Sequence, residues 1–163
     1  MSPTAKSDSR TLTDRFALIL GHWFGCGLSP VAPGTVGSLG ALPLVYVLWP
    51  SSIGYAAVTL LVCGLGVWSA QRSADILAEK DPQSVVIDEV AGVLLAGSLV
   101  LDAPLWALAL AWLGFRLLDI FKPGAIDRCQ HLRPAGVGIM ADDILAGLSA
   151  GILARALWLM LSR

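Results

Sequence analysis

The sequence predicts an all-α fold: a polytopic transmembrane helical bundle with four to five membrane-embedded helices plus an N-terminal interfacial helix. Three observations predict it. Of the 163 residues, 56% are apolar and 14% charged, with mean hydropathy +0.73, whereas a soluble domain carries about 25% charged residues. Apolar runs recur along most of the chain, separated by turn-forming residues. The ionisable side chains gather between alternate runs, so they share one end of the proposed spans.

Residues 1–11 are Ser/Thr-rich with mixed charge and are expected to form a disordered tail; residues 12–163 are expected to form a single membrane-embedded domain. The N-terminus lacks the basic-then-apolar order of a signal peptide. Leu12 to Gly21 is a short helix candidate of mixed polarity, suited to the interface. Residues 25–40 are dense in Gly, Pro, Ser and Thr, a composition that breaks regular structure. Five apolar runs follow: Ala41 to Trp49, Ile53 to Ala70, Val85 to Leu101, Pro104 to Leu118 and Ile144 to Leu161. A span needs about 20 residues, so the second, third and fifth runs qualify. The first is short and holds Pro43. It either re-enters the membrane or borrows residues from 31 onward.

The connections set the topology. Residues 50–52 and 102–103 are tight turns, whereas residues 71–84 and 119–142 are longer and polar. If all five runs cross, Lys6, Arg10, Arg15, Arg72, Lys80, Arg116, Lys122, Arg128 and Arg133 share one side. Only Arg155 and Arg163 fall on the other. Basic flanks stay in the cytoplasm, so the polar side is cytoplasmic. A net charge of −1 gives no reason to expect nucleic acid as a partner. Cys26, Cys63 and Cys129 have no metal-binding spacing and read as free thiols.

Among the acids, only Asp102 sits on the far side. Asp75, Glu79, Asp81 and Asp127 read as solvated flanks. Three clusters differ because they intrude into the apolar runs. In VVIDEVAG, Asp88 and Glu89 open the third run, and an acid inside a span costs roughly 2.5–3.5 kcal/mol on insertion scales. Asp88, Gly92 and Ala96 share one helical face, which suits close helix packing. In FRLLDIFKPGAI, Arg116 and Asp119 are i, i+3 neighbours and Lys122 follows before Pro123. In GVGIMADDILAG, Asp142 and Asp143 stand at the start of the last run, and Asp143, Gly147 and Gly151 share a face. His22 and His131 are isolated histidines and read as structural or surface groups.

Hard divalent cations take oxygen ligands, and Mg²⁺ commonly uses one or two carboxylates with substrate phosphate and water. Carboxylates from several helix ends, beside a Lys and an Arg, would therefore bind a metal and a phosphate together. Backbone N–H groups of residues 33–38 would add an anion nest, although the GK[ST] of a Walker A loop is missing. The same residues leave an ion-coupled transporter subunit open, since intramembrane carboxylates also relay ions. Carboxylates confined to one interface count against a conduction path.

The motifs FGCGLSPVAPGTVGSLGALPL, VVIDEVAG, FRLLDIFKPGAI and GVGIMADDILAG, in that order from about Phe16 to Leu161, resemble the phosphatidylglycerophosphatase A family. The resemblance implies an Mg²⁺-dependent enzyme of the bacterial inner membrane. It would hydrolyse phosphatidylglycerophosphate to phosphatidylglycerol and phosphate in phospholipid biosynthesis. Carried across motif by motif, it implies Asp88, Glu89, Asp119, Lys122, Asp142 and Asp143 as catalytic residues. Asp88, Glu89, Asp142 and Asp143 would hold the metal; Thr35, Ser38, Arg116 and Lys122 would bind substrate phosphate. The nucleophile is either water or an aspartate. Two departures touch the loops and not the charges: the family's KPxPI is Lys122-Pro123-Gly124-Ala125-Ile126 here, and its GGxGIM begins Ala135-Gly136-Val137-Gly138. Signatures of CDP-alcohol phosphotransferases, histidine-nucleophile lipid phosphatases and DxDx[TV] phosphatases are missing, which leaves another lipid-phosphate enzyme as the nearest alternative.

Overall fold

A computed structural model describes residues 10–162, and among them every regular element is helical. α1 is Leu12–Gly21, α2 Pro33–Leu48, α3 Ser52–Leu77, α4 Ile87–Ser98, α5 Leu105–Phe121, α6 Ala125–Cys129 and α7 Ala135–Leu161; a 3₁₀ turn, Cys26–Leu28, precedes α2. The expected tail lies outside the described residues except for Arg10 and Thr11. Thr11 is already the N-cap of α1, in a capping box closed by Asp14.

The long helices alternate in direction. The starts of α2, α4 and α7 and the ends of α3 and α5 therefore meet at one end of the bundle. α4 is the axis of this arrangement. Most of its residues are buried, and it packs against α2, α3, α5 and α7. Tyr55 of α3, fully buried, donates its hydroxyl to the Leu94 carbonyl at 2.8 Å. α7 runs parallel to α4 along the two small-residue faces that the sequence suggested. A Cβ on Gly147 would lie 2.3 Å from the Gly92 carbonyl oxygen, and one on Gly151 2.7 Å from that of Ala96. Asp88, Gly92 and Ala96 thus stand beside Asp143, Gly147 and Gly151, layer against layer. Backbones this close need small residues.

Several boundaries differ from the sequence reading, each for a physical reason. The Gly-rich segment expected to be irregular is helical from Pro33, because proline suits the first helical position and Val86 packs over Gly37. The first run does borrow upstream residues, and Pro43 is accommodated inside α2. The third run yields 12 residues of helix, about 18 Å at 1.5 Å per residue, so it is too short to cross a hydrocarbon core of about 30 Å. α7 begins well before Ile144, because Gly136 docks against α3, its N–H donating to the Gln71 side chain at 2.9 Å. Asp142 and Asp143 therefore lie inside a helix and not at its start.

Of the four to five spans expected, two described helices, Ser52–Leu77 and Ala135–Leu161, are long and apolar enough to cross a membrane; α2 is apolar but has 16 residues. Large apolar side chains are exposed all along the outside, including Leu60, Leu61, Leu113, Ile120, Ile152 and Met160. α1 is tied down at the polar end. Asp14 pairs with Arg72 at 2.7 Å, and the Val86 N–H donates to the Gly21 carbonyl at 2.8 Å. At the opposite end Arg155, for which the sequence offered no role, pairs with Asp102 and stacks on Trp158. Arg155 and Asp102 neutralise each other.

Gly147→Val tests the α4–α7 contact. Overpacking of this kind costs about 1–3 kcal/mol, so the detergent-solubilised variant is expected to melt several degrees below the parent. Gly64→Ala, where a Cβ meets nothing within 4 Å, is expected to melt no lower.

Candidate active site

The meeting helix ends enclose a cavity of about 510 Å³, and its lining draws on every long helix except α3. The acids come chiefly from two of them. Asp88 and Glu89 occupy the first turn of α4, where the free N–H groups of a helix start favour negative charge. Asp142 and Asp143 occupy the third turn of α7, both buried. One carboxylate oxygen from each of Asp88, Glu89 and Asp143 lies within 4.8 Å of the others. Three acids this close repel one another unless a shared proton or a cation lies between them.

Much of the acids' hydrogen-bonding capacity is unused. Asp88 Oδ1, Glu89 Oε2, Asp142 Oδ1 and Asp143 Oδ2 are buried with no hydrogen-bond partner among the described residues. Buried polar atoms are normally satisfied, and orphaned carboxylate oxygens are the donor set that a hard divalent cation requires. The residues present therefore fit a magnesium-type ion held by Asp88, Glu89 and Asp143. Asp142 is placed differently. Its Oδ2 accepts from Lys122 Nζ at 2.5 Å, so it positions the lysine, and only its Oδ1 is left unpaired.

Two cations complete the wall. Arg116, one turn before the end of α5, donates to Asp119 Oδ2 at 2.7 Å and lies 4.0 Å from Glu89 Oε1. Its Nε is buried and unpartnered among the described residues. Lys122 is the C-cap of α5, in a left-handed conformation that turns the chain out of the helix. Burial alone would lower its pKa, but the hydrogen bond and charge of Asp142, with the charges of Asp143 and Asp119, hold it above the ordinary value. It is a cation throughout the physiological range.

The structure does not bring Thr35 and Ser38 to this cavity. Ser38 is fully buried; its hydroxyl donates to the Thr35 carbonyl at 3.0 Å and accepts from Trp112 Nε1 at 3.2 Å. It ties α2 to α5 and has no hydrogen to spare for a phosphate. Residues 33–38 contribute Gly34 instead, where a Cβ would fall 2.1 Å from Glu89 Oε1 and 3.2 Å from Arg116 Nη2. Asp81, read from sequence as a solvated flank, lines the cavity together with Gln83. Its position ahead of Pro82, in the connection leading into Asp88, was the available signal. His131 does not line the cavity, and all three cysteines are free thiols.

This geometry belongs to a chain whose residues 19–158 match the sequence profile of the family described as PgpA, phosphatidylglycerophosphatase A. The chain belongs to the phosphatidylglycerophosphatase A family. It is thereby a phosphatase of the class that hydrolyses phosphate monoesters. An Escherichia coli K12 relative named phosphatidylglycerophosphatase A is 39% identical over 142 residues, covering 83% of this chain and 80% of that protein. The Haemophilus influenzae relative of the same name is 34% identical over 148 residues, covering 87% and 90%. A Bacteroides thetaiotaomicron relative, provisionally named a phosphatidylinositol-3-phosphatase, is 36% identical over 156 residues, covering 88% and 94%. No solved structure matches the chain.

For a phosphatidylglycerophosphatase A family member, Gly34 becomes the position to test. In Gly34→Ala the new methyl group displaces the far end of Glu89 and crowds the Arg116 guanidinium, both ends of flexible side chains. Misplacing a catalytic group by about 1 Å costs up to about 10²-fold. Phosphate release is expected to fall roughly 10- to 100-fold with an unchanged melting temperature. An unaltered rate would show that Glu89 does not need this position.

Proposed function

We propose that this chain is an Mg²⁺-dependent lipid phosphatase that hydrolyses phosphatidylglycerophosphate to phosphatidylglycerol and phosphate, a step of phospholipid biosynthesis. The observation that carries the proposal is the convergence of Asp88, Glu89 and Asp143 within 4.8 Å, in one cavity with Arg116 and Lys122. Acids without cations would bind metal alone, and cations without acids would bind any anion. The two sets facing each other suit a metal and a phosphomonoester together.

Residues 12–163 act as a single membrane-embedded domain in the bacterial inner membrane, with the catalytic cavity on the cytoplasmic side. The exposed apolar surfaces of α2, α3, α5 and α7 support four embedded helices, with α4 enclosed among them as a fifth. The gathering of Arg72, Arg116, Lys122 and Arg128 at the cavity end supports the orientation. The substrate's acyl chains stay in the bilayer while its phosphate enters the cavity from the interface.

Asp88, Glu89 and Asp143 would hold the ion, with Oδ1 of Asp142 adjacent. A bound Mg²⁺ supplies charge neutralisation at the phosphoryl group and lowers the pKa of a bound water. Arg116 and Lys122 bind the phosphate oxygens and keep its phosphorus oriented toward the acids. Asp119 and Asp142 fix those two cations by the 2.7 and 2.5 Å bonds already described. A water oxygen forms the new P–O bond, the ester P–O bond breaks, and the glycerol oxygen leaves with the proton that the water gives up, relayed through a carboxylate of the site. The unpaired Oδ1 of Asp142, which is not one of the three acids assigned to the ion, would take the proton that the water loses.

The Bacteroides relative's name favours a second reading, that the preferred substrate is a phosphoinositide monoester. One assay separates the two. Detergent-solubilised protein is given phosphatidylglycerophosphate or phosphatidylinositol-3-phosphate, with Mg²⁺ or with chelator. Release from phosphatidylglycerophosphate is expected to dominate, to stop on chelation, and to be abolished by Asp143→Asn in a protein that still inserts and folds. Faster release from the inositol lipid would transfer the proposal to that substrate. Full activity of Asp143→Asn would remove Asp143 from the site.

A further inference from the structure

Four long helices, α2, α4, α5 and α7, line the catalytic cavity. α4 packs against the other three, and α5 also packs along α7. α2 and α5 flank α4 without packing closely on each other. They face one another at the catalytic end, where a Cβ on Gly34 would lie 3.2 Å from Arg116 Nη2. One turn further along, Trp112 Nε1 donates to Ser38 Oγ at 3.2 Å. Beyond that bond a second cavity, of about 500 Å³, opens between the same two helices. Tyr46, Val47 and Trp49 line it from the end of α2, and Leu105 and Leu108 from the start of α5. Among the described residues no charged side chain lines it. Val47 is 71% exposed and Leu105 73%, so the chain leaves this cavity open on its outer side.

The two cavities are the ends of one seam. At 3.6 residues per turn, Gly34, Ser38 and Trp49 lie within about 60° of one another around α2, and Arg116, Trp112, Leu108 and Leu105 within about 80° around α5. Each helix therefore turns a single face to the seam, polar at the catalytic end and apolar at the other. The length is also informative. From Gly34 to Tyr46 α2 rises about 18 Å at 1.5 Å per residue, while one leaflet supplies about 15 Å of a hydrocarbon core of roughly 30 Å. A lipid whose phosphate occupies the catalytic cavity thus reaches the apolar cavity with the last carbons of an acyl chain.

We propose that the α2–α5 seam is the acyl-chain groove of the lipid substrate: one chain leaves the catalytic cavity past Trp112 and ends among Tyr46, Trp49, Leu105 and Leu108. Continuity with the catalytic cavity selects this occupant over any other apolar one. Bilayer lipid is as apolar as the chain, so the groove gains little from hydrophobic burial. It supplies close van der Waals contact and a fixed direction. A chain held along the seam brings its own headgroup to the Gly34–Arg116 end, where the phosphate must enter. Ser38, whose hydroxyl is spent on Trp112, acts here by pinning the indole at the middle of the groove. The inference rests on the lipid-phosphatase reading above and adds the part of the substrate that the charged site does not touch.

Phosphate release from dioleoyl and dihexanoyl phosphatidylglycerophosphate by the full-length protein in mixed micelles tests it. The wild type is expected to show the higher kcat/KM on the dioleoyl lipid. Val47→Trp/Leu105→Trp fills the apolar cavity from two exposed positions. It is expected to lower kcat/KM on the dioleoyl lipid about tenfold, through KM, the low end of what a changed fit in an apolar pocket confers. Its rate on the dihexanoyl lipid is expected to be unchanged. Leu153→Trp, on the exposed side of α7, is expected to alter neither. A diazirine at the end of one acyl chain is expected to cross-link to α2 and α5 around the apolar cavity, and excess unlabelled dioleoyl lipid is expected to suppress those adducts. No chain-length preference in the wild type, an equal loss on both lipids in the double variant, or suppressible adducts on α3 or α7 instead would overturn the proposal. The dihexanoyl lipid reports the catalytic reading by itself: no release from it by the wild type would overturn that reading, and the cross-links would still decide the groove.

Discussion

The contact on which the rest depends is the one between the backbones of α4 and α7, which touch at Gly92 and Gly147 with no side chain between them. A Cβ on Gly147 would lie 2.3 Å from the Gly92 oxygen. Because the helices run parallel and in register, the residues one turn before those glycines, Asp88 and Asp143, are forced together. Glu89 follows Asp88, and the three carboxylates come within 4.8 Å. Tertiary packing thus holds like charges in a cluster that their electrostatics alone would disperse. The energy comes from the small-residue seam and from α5, whose buried Phe115 packs against the outer side of Gly92.

Around that cluster the charges are arranged so that each has a job. Arg116 and Lys122 each hold one carboxylate closely, Asp119 and Asp142, and those bonds aim the cations, while Arg116 reaches the central acids only through Glu89 at 4.0 Å. The orphaned oxygens of Asp88, Glu89 and Asp143 remain for something else. Polar groups left unpaired in a buried site are costly. Such a cost is sustained at sites where a ligand repays it. Among the described residues the charges at the far end follow the ordinary pattern, Arg155 paired with Asp102.

Much of this was legible in the sequence because it was written in spacing. Asp88-Gly92-Ala96 and Asp143-Gly147-Gly151 are i, i+4 rows, and such rows predict a face whatever the helix packs on. α1 was legible as a short segment of mixed polarity and most of α3 as a long apolar run, since both are local signals. Tertiary features were not. Nothing in a Gly-rich string says that Pro33 starts a helix, because that helix is stabilised by the cover Val86 lays over Gly37. The early start of α7 depends on Gly136 docking against α3. Ser38 has the polarity of a phosphate ligand, and only its distance to Trp112 reveals that its hydroxyl is spent elsewhere. Gly34, with no side chain, has importance only through what it lets Glu89 and Arg116 do.

Divalent-cation binding measures the central relation directly, without substrate or turnover. Manganese titration of the detergent-solubilised protein, followed by electron paramagnetic resonance, counts ions bound by the folded chain. Binding is expected to be lost in both Asp88→Asn and Asp143→Asn, each of which removes an acid from a different helix, in proteins that melt normally. Manganese bound undiminished by both variants would mean that α4 and α7 do not share an ion, and the proposed centre would not exist.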